Sequence, residues 1–199
     1  MQKYLVEFVG TFFLMLAIGA TVLPMIAPIA PFFVGAVLVV LILLGGPISG
    51  AHYNPAVTLA FWLRGDCPRR DVVPYIAAQV VAASLAALAS GKLCGAMAGM
   101  SPSYGQIFTG ELAFTWLLVF VILCVAGRGW AAFPIGAVVT IGGLAVGGLC
   151  GAAFNPAVTV GLAWVELLSW DALWAYFAAQ FVAALIAVQL DSLLRRKVA

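Results

Sequence analysis

Asn54-Pro55-Ala56-Val57-Thr58 and Asn155-Pro156-Ala157-Val158-Thr159 are one pentapeptide written twice in a chain of 199 residues. An asparagine followed by a proline is a helix start. Asn is a favoured N-cap, and proline at the first helical position forgoes an N–H that would have no helical partner anyway. Both starts lie inside sequence apolar enough to be membrane, so two short helices begin at mid-bilayer. Backbone that leaves the helix at that depth survives only where protein or a water-filled cavity surrounds it, and the pair therefore predicts a pore or a binding site.

The rest of the chain supports the membrane assignment. Hydrophobic residues make up 65% and charged residues 8%, with a mean hydropathy of +1.18, against about 25% charged in an average soluble protein. No charge occurs between Glu7 and Arg64, or between Arg128 and Glu166. At about 20 apolar residues per spanning helix, each stretch holds two spans or a span plus a re-entrant segment. A net charge of +2 argues against a nucleic acid partner. The run after Lys3 could serve as a signal peptide, but Glu7 interrupts it and the repeat needs it as a first span. Cys67, Cys94, Cys124 and Cys150 lack metal-ligand spacing, and His52 is the only histidine, so no metal, cofactor or catalytic site is expected.

A shift of 101 residues lays Gly50, Ala51 and the first pentapeptide on Gly151, Ala152 and the second. It also lays Tyr75 and Gln79 on Tyr176 and Gln180. A shift of 104 pairs Glu7 and Thr11 with Glu111 and Thr115. The chain is thus one channel-like domain built of two halves, about 1–100 and 101–199. The predicted fold is an all-α membrane protein with spans at about 4–24, 32–47, 71–93, 106–126, 131–149 and 172–193, and half-helices at 55–64 and 156–166. Three spans per half make the repeat an inverted one. With both termini in the cytoplasm, eight of the nine Lys and Arg residues, from Lys3 to Lys197, fall on the inner face, and Lys92 is the exception. Gly91, Gly95 and Gly99, and again Gly143, Gly147 and Gly151, predict flat faces for close helix packing. Trp62, Trp116, Trp130, Trp170 and Trp174 are expected at the ends of spans.

In this topology the two half-helices point their N-termini, each carrying roughly half a positive charge, at one another near the midplane. A cation there is repelled, while water can be oriented by the amides of Asn54 and Asn155. The segments Gly50, Ala51, His52, Tyr53 and Gly151, Ala152, Ala153, Phe154 are expected to run extended, with free carbonyls replacing the hydrogen bonds that a dehydrated solute loses.

These residues resemble the major intrinsic protein family, the aquaporins and aquaglyceroporins, over nearly the whole chain. The resemblance implies a passive channel for water and small neutral solutes with no enzymatic activity. It also implies Asn54, Pro55, Ala56, Asn155, Pro156 and Ala157 at the pore centre, and four protomers, each with its own pore, in a lipid membrane, here expected to be the cell's inner membrane. It places an outer constriction at Val34, Gly143, Ala152 and Val158. Most members carry Arg at the last of these, so this collar is expected to be wide, apolar and uncharged. Glu7 and Glu111 are either proton relays or, as the resemblance implies, acceptors that buttress the re-entrant backbone. His52 either lines the inner vestibule or is held by loop backbone. Two rival readings are a secondary transporter using Glu7 or Glu111 and a structural membrane protein with a vestigial pore.

Overall fold

The computed structural model describes residues 1–21, 29–94 and 99–196. Gly95, Lys197 and the last residues of the expected first span lie outside them. Among the described residues six helices are long and apolar enough to cross a membrane: α1 (Gln2–Ala20), α2 (Ala30–Ser49), α4 (Arg69–Cys94), α5 (Tyr104–Val125), α6 (Ala132–Cys150) and α8 (Leu173–Arg196). Two short helices, α3 (Pro55–Arg64) and α7 (Pro156–Trp164), complete the all-α bundle.

The breaks follow from local chemistry. Gly50 and Gly151 end α2 and α6 in the left-handed conformation, at φ 86° and 84°, where a glycine carries no Cβ penalty. Four residues later an asparagine caps the next helix: Asn54 Oδ1 accepts from Ala56 N at 2.8 Å, and Asn155 Oδ1 from Ala157 N at 2.9 Å. Helix α7 ends two residues before the expected position, because Glu166 turns to φ 61°. Ser103 opens α5 with a capping box closed by Gln106.

In the order of the elements, one end of the bundle gathers the N-terminus, Arg64, Arg69, Arg128 and Arg195, and the opposite end gathers Lys92, Glu166 and Asp171. Each short helix begins in the middle and runs back to the end from which its loop entered.

Two packing expectations are corrected. A Cβ added at Gly147 would meet nothing within 4 Å, and one at Gly91 would make only an ordinary contact, 3.8 Å from Val165. Spacing by four puts Gly143, Gly147 and Gly151 on one face, but that face lines a cavity. Of that face only Gly143 packs tightly on α2, where a Cβ would come 2.9 Å from Pro31 Cβ, and the backbones of α2 and α6 meet at Gly35 and Gly136, where a Cβ on either would come within 2.7 Å of the other's carbonyl oxygen. Trp116 is not at a span end either. It sits halfway along α5, its ring stacked on Phe120 at 5.6 Å.

Candidate functional site

The re-entrant segments are shaped by buried carboxylates. Ala51 and Tyr53 adopt φ 51° and 49°, and Ala152 and Phe154 adopt φ 49° and 48°. The segments therefore do not run extended; they alternate through the left-handed region, at a cost of order 1–3 kcal/mol per non-glycine residue. Such backbone persists only where its surroundings fix it. Glu7, fully buried, accepts from His52 N at 2.9 Å and Tyr53 N at 2.7 Å. Glu111, also fully buried, accepts from Ala153 N at 2.9 Å and Phe154 N at 2.8 Å.

A second set of polar residues holds the carboxylates. Gln79 Nε2 donates to Glu7 Oε2 at 2.8 Å and to Thr58 Oγ1 at 3.0 Å. Gln180 Nε2 does the same to Glu111 Oε2 at 2.8 Å and Thr159 Oγ1 at 2.9 Å. Ser49 Oγ donates to Glu7 Oε1 at 2.7 Å, and the Cys150 thiol stands 3.6 Å from Glu111 Oε1. Tyr75 and Tyr176 donate their hydroxyls to the terminal carbonyls of α2 and α6, Ser49 O and Cys150 O. The sequence reading assigned no role to the glutamines or tyrosines. Their signal was present, as polar residues in apolar spans recurring at the offset of the pentapeptides.

The carbonyls of Gly50, Ala51 and His52, and of Gly151, Ala152 and Ala153, accept no protein hydrogen bond among the described residues. The next carbonyl in each segment is used across the repeat. Asn54 Nδ2 donates to Phe154 O and Asn155 Nδ2 to Tyr53 O, both at 2.8 Å. The two caps thus meet at the centre, 101 residues apart in sequence.

One continuous cavity of about 920 Å³ passes this point. Its walls include residues from Ala30 to Ser49 on α2 and from Ala132 to Gly148 on α6, so it follows the two helices over roughly 28 and 24 Å at 1.5 Å per residue. Both asparagines and both re-entrant segments line it. Val34, Gly143, Ala152 and Val158 line it too, but unequally: Val34 is 9% exposed and Val158 2%, while Gly143 and Ala152 are half-buried. His52 lines the cavity, with Nδ1 3.2 Å from Thr58 Oγ1 and its ring stacked 4.5 Å from Phe61. Side chains hold it, not loop backbone.

On the cavity wall, among the described residues, charge is confined to the end that carries the N-terminus. Arg64 donates to Leu123 O at 2.6 Å and pairs with Asp66, and Arg128 lies over the Trp130 ring at 5.4 Å. All three charged residues line that mouth. Neither Glu7 nor Glu111 lines the cavity. Among the described residues no group of three or more His, Cys, Asp or Glu is placed to hold a metal ion, and the four cysteines are free thiols.

The comparisons with known proteins agree with this fold. A solved structure, the X-ray structure of the aquaglyceroporin from Plasmodium falciparum, superposes with a TM-score of 0.82 at 21% identity, covering 97% of this chain and 96% of that one. Aquaporin NIP1-4 of Oryza sativa subsp. japonica is 32% identical over 98% of this chain and 77% of its own length. Nodulin-26 of Glycine max is 32% identical over 98% and 78%. A protein named "Probable aquaporin AqpM" from Archaeoglobus fulgidus is 38% identical over 66% of this chain, and the match spans 60% of that relative's length. The family model described as Major intrinsic protein matches residues 1–191. The chain belongs to the major intrinsic protein family.

Proposed function

We propose that this protein is a passive, multi-pass membrane channel for water and small uncharged solutes, conducting along the cavity that passes between Asn54 and Asn155. The observation that carries this reading is the pair of N-caps, each donating to the carbonyl that precedes the other, beside one end-to-end cavity. Two helix N-termini directed at one point disfavour a cation there. Flanking carbonyls without protein partners offer replacement hydrogen bonds to a neutral solute.

In this reading the end rich in arginine faces the cytoplasm, Val34, Gly143, Ala152 and Val158 form the outer constriction, Glu7 and Glu111 are buttresses, and four copies assemble in the inner membrane. The transporter alternative needs a coupling carboxylate in the path. The carboxylate on the cavity wall is Asp66, at the mouth and paired with Arg64, while Glu7 and Glu111 are engaged elsewhere. A vestigial pore would have side chains filling the space between the asparagines, and both asparagines border open cavity.

Swelling of reconstituted vesicles in water, glycerol, urea, ammonia and neutral metalloid hydroxides tests the proposal. Flux above that of protein-free vesicles, unaffected by an imposed proton gradient, is expected. Uphill accumulation driven by that gradient would establish the transporter instead.

A further inference from the structure

The outer collar has a wall that its four expected positions do not include. Pro31, in the first turn of α2, lines the cavity and lies directly against Gly143. A Cβ built on Gly143 would point at the proline, 2.9 Å from its Cβ and 3.2 Å from its Cγ, and not into open space. The open area expected from a glycine at 143 is thus filled by a rigid ring from the neighbouring helix. The ring is held in place: Thr140 Oγ1 lies 3.2 Å from Pro31 O and 3.1 Å from Gly136 O. The hydroxyl bridges a first-turn carbonyl of α2 and a carbonyl of α6 where Gly35 and Gly136 already bring the two backbones together.

We propose that Pro31 forms a fifth wall of the outer constriction, pinned there by Thr140, so that the seam between α2 and α6 sets the aperture and the largest neutral solute admitted. The proposal rests on the channel reading above. Pro31 touches the permeating solute, and Thr140 is a positioning residue that acts through it. With a fixed φ and no N–H, the proline offers an apolar face, so the wall selects by width and not by hydrogen bonding. The fit at the seam leaves no slack. One methyl group at residue 143 has to displace the ring, which lines the cavity.

The test is a two-residue cycle read as the ratio of glycerol to water permeability in vesicles. Gly143→Ala should lower the ratio at least about threefold, the size of coupling that contacting residues show. Pro31→Gly, which removes both atoms the new methyl meets, should restore the ratio in the double variant. Thr140→Val should shift the ratio while Thr140→Ser leaves it unchanged. Pro31→Cys should become sensitive to a charged methanethiosulfonate reagent that leaves the flux of the unmodified protein intact. Effects of Gly143→Ala and Pro31→Gly that simply add, or a labelled Pro31→Cys that conducts normally, overturn the proposal while wild-type flux keeps the channel reading standing. No flux through the unmodified protein overturns both.

Discussion

Glu7 and Glu111 do the same work in the two halves with one donor changed. Each accepts from two successive loop N–H groups and from a glutamine amide. The fourth donor is a serine hydroxyl at 2.7 Å in the first half and a thiol at 3.6 Å in the second. Further from the carboxylates the halves diverge more. At the offset of 101, His52 corresponds to Ala153, Arg64 to Val165 and Asp71 to Ala172. Asp71, buried, takes Lys3 Nζ at 2.6 Å and the Tyr4 hydroxyl at 2.7 Å, contacts that an alanine cannot make. The central frame is thus kept by the symmetry, and the two mouths are free to differ: one polar and charged, the other apolar.

The sharpest way to break the equivalence is to neutralise each carboxylate in turn. In Glu7→Gln or Glu111→Gln the amide nitrogen must replace one of two oxygens, and each oxygen faces a main-chain N–H, so either flip sets donor against donor. A stranded buried donor costs about 1–3 kcal/mol, and the positive-φ residues lose part of their tether as well. Both variants should lose about 3 kcal/mol or more, measured as an early melting transition in detergent. Unequal losses would show that one loop is held by something other than its glutamate.

The frame was legible in sequence because it is written twice. Asn-Pro marks a helix start by local chemistry alone, and offsets of 101 for Asn and Thr and 104 for Glu paired them across the halves. The path of the loops was not legible. Gly50 and Gly151 advertise a left-handed turn, but nothing in the residue types of Tyr53 or Phe154 does, since their conformation is imposed by carboxylates more than 40 residues away. Pro31 escaped for a related reason: its contact with Gly143 depends on how α2 and α6 cross, and a repeat offset carries no information about that. Trp116 was misplaced against its own span, since the expected 106–126 and the observed Tyr104–Val125 both put residue 116 near the middle.

Charging the apolar mouth sharpens the contrast between the ends. Val158→Arg places a guanidinium in a collar that has no charged wall, and should lower glycerol permeability relative to water about tenfold, the equivalent of about 1.4 kcal/mol. Parallel swelling measurements on one vesicle preparation give that ratio. An unchanged ratio would mean that residue 158, with 2% of its surface exposed, does not border the solute path.

The asparagines test the centre itself. Asn54→Ala and Asn155→Ala each remove a helix cap, typically ~1 kcal/mol, and the bond to the opposite half. Asn155 also has Val158 N within 3.4 Å, so its loss should cost slightly more. Because no described arginine lines the cavity at the end away from the N-terminus, Asn155→Ala should also raise proton leak, read with a pH-sensitive dye trapped in vesicles. A leak equal to that of the unmodified protein would leave proton exclusion to the helix N-termini alone.

The smallest effect concerns the one donor that differs. In Cys150→Ser a hydroxyl replaces a weak thiol donor next to Glu111. The shorter C–O bond moves the donor away from the carboxylate while the better dipole strengthens the bond it makes, so the outcome depends on whether α6 can close the gap. Ser49 shows that the geometry permits it, since its Oγ reaches Glu7 from the corresponding helix end while also accepting from Ala51 N at 3.0 Å. A typical net hydrogen bond contributes about 0.5–1.5 kcal/mol, and Cys150→Ser should gain at the lower end of that range. Ser49→Cys should lose more, because the bulkier sulfur must enter a site where Ser49 is 8% exposed and Glu7 is fully buried. Melting temperatures of the two single variants and the double swap decide the matter. If the swap restores wild-type stability, the halves are interchangeable at this position. If both singles are destabilised alike, each half has been packed around its own donor, and the equivalence ends at the main-chain N–H groups and the glutamines.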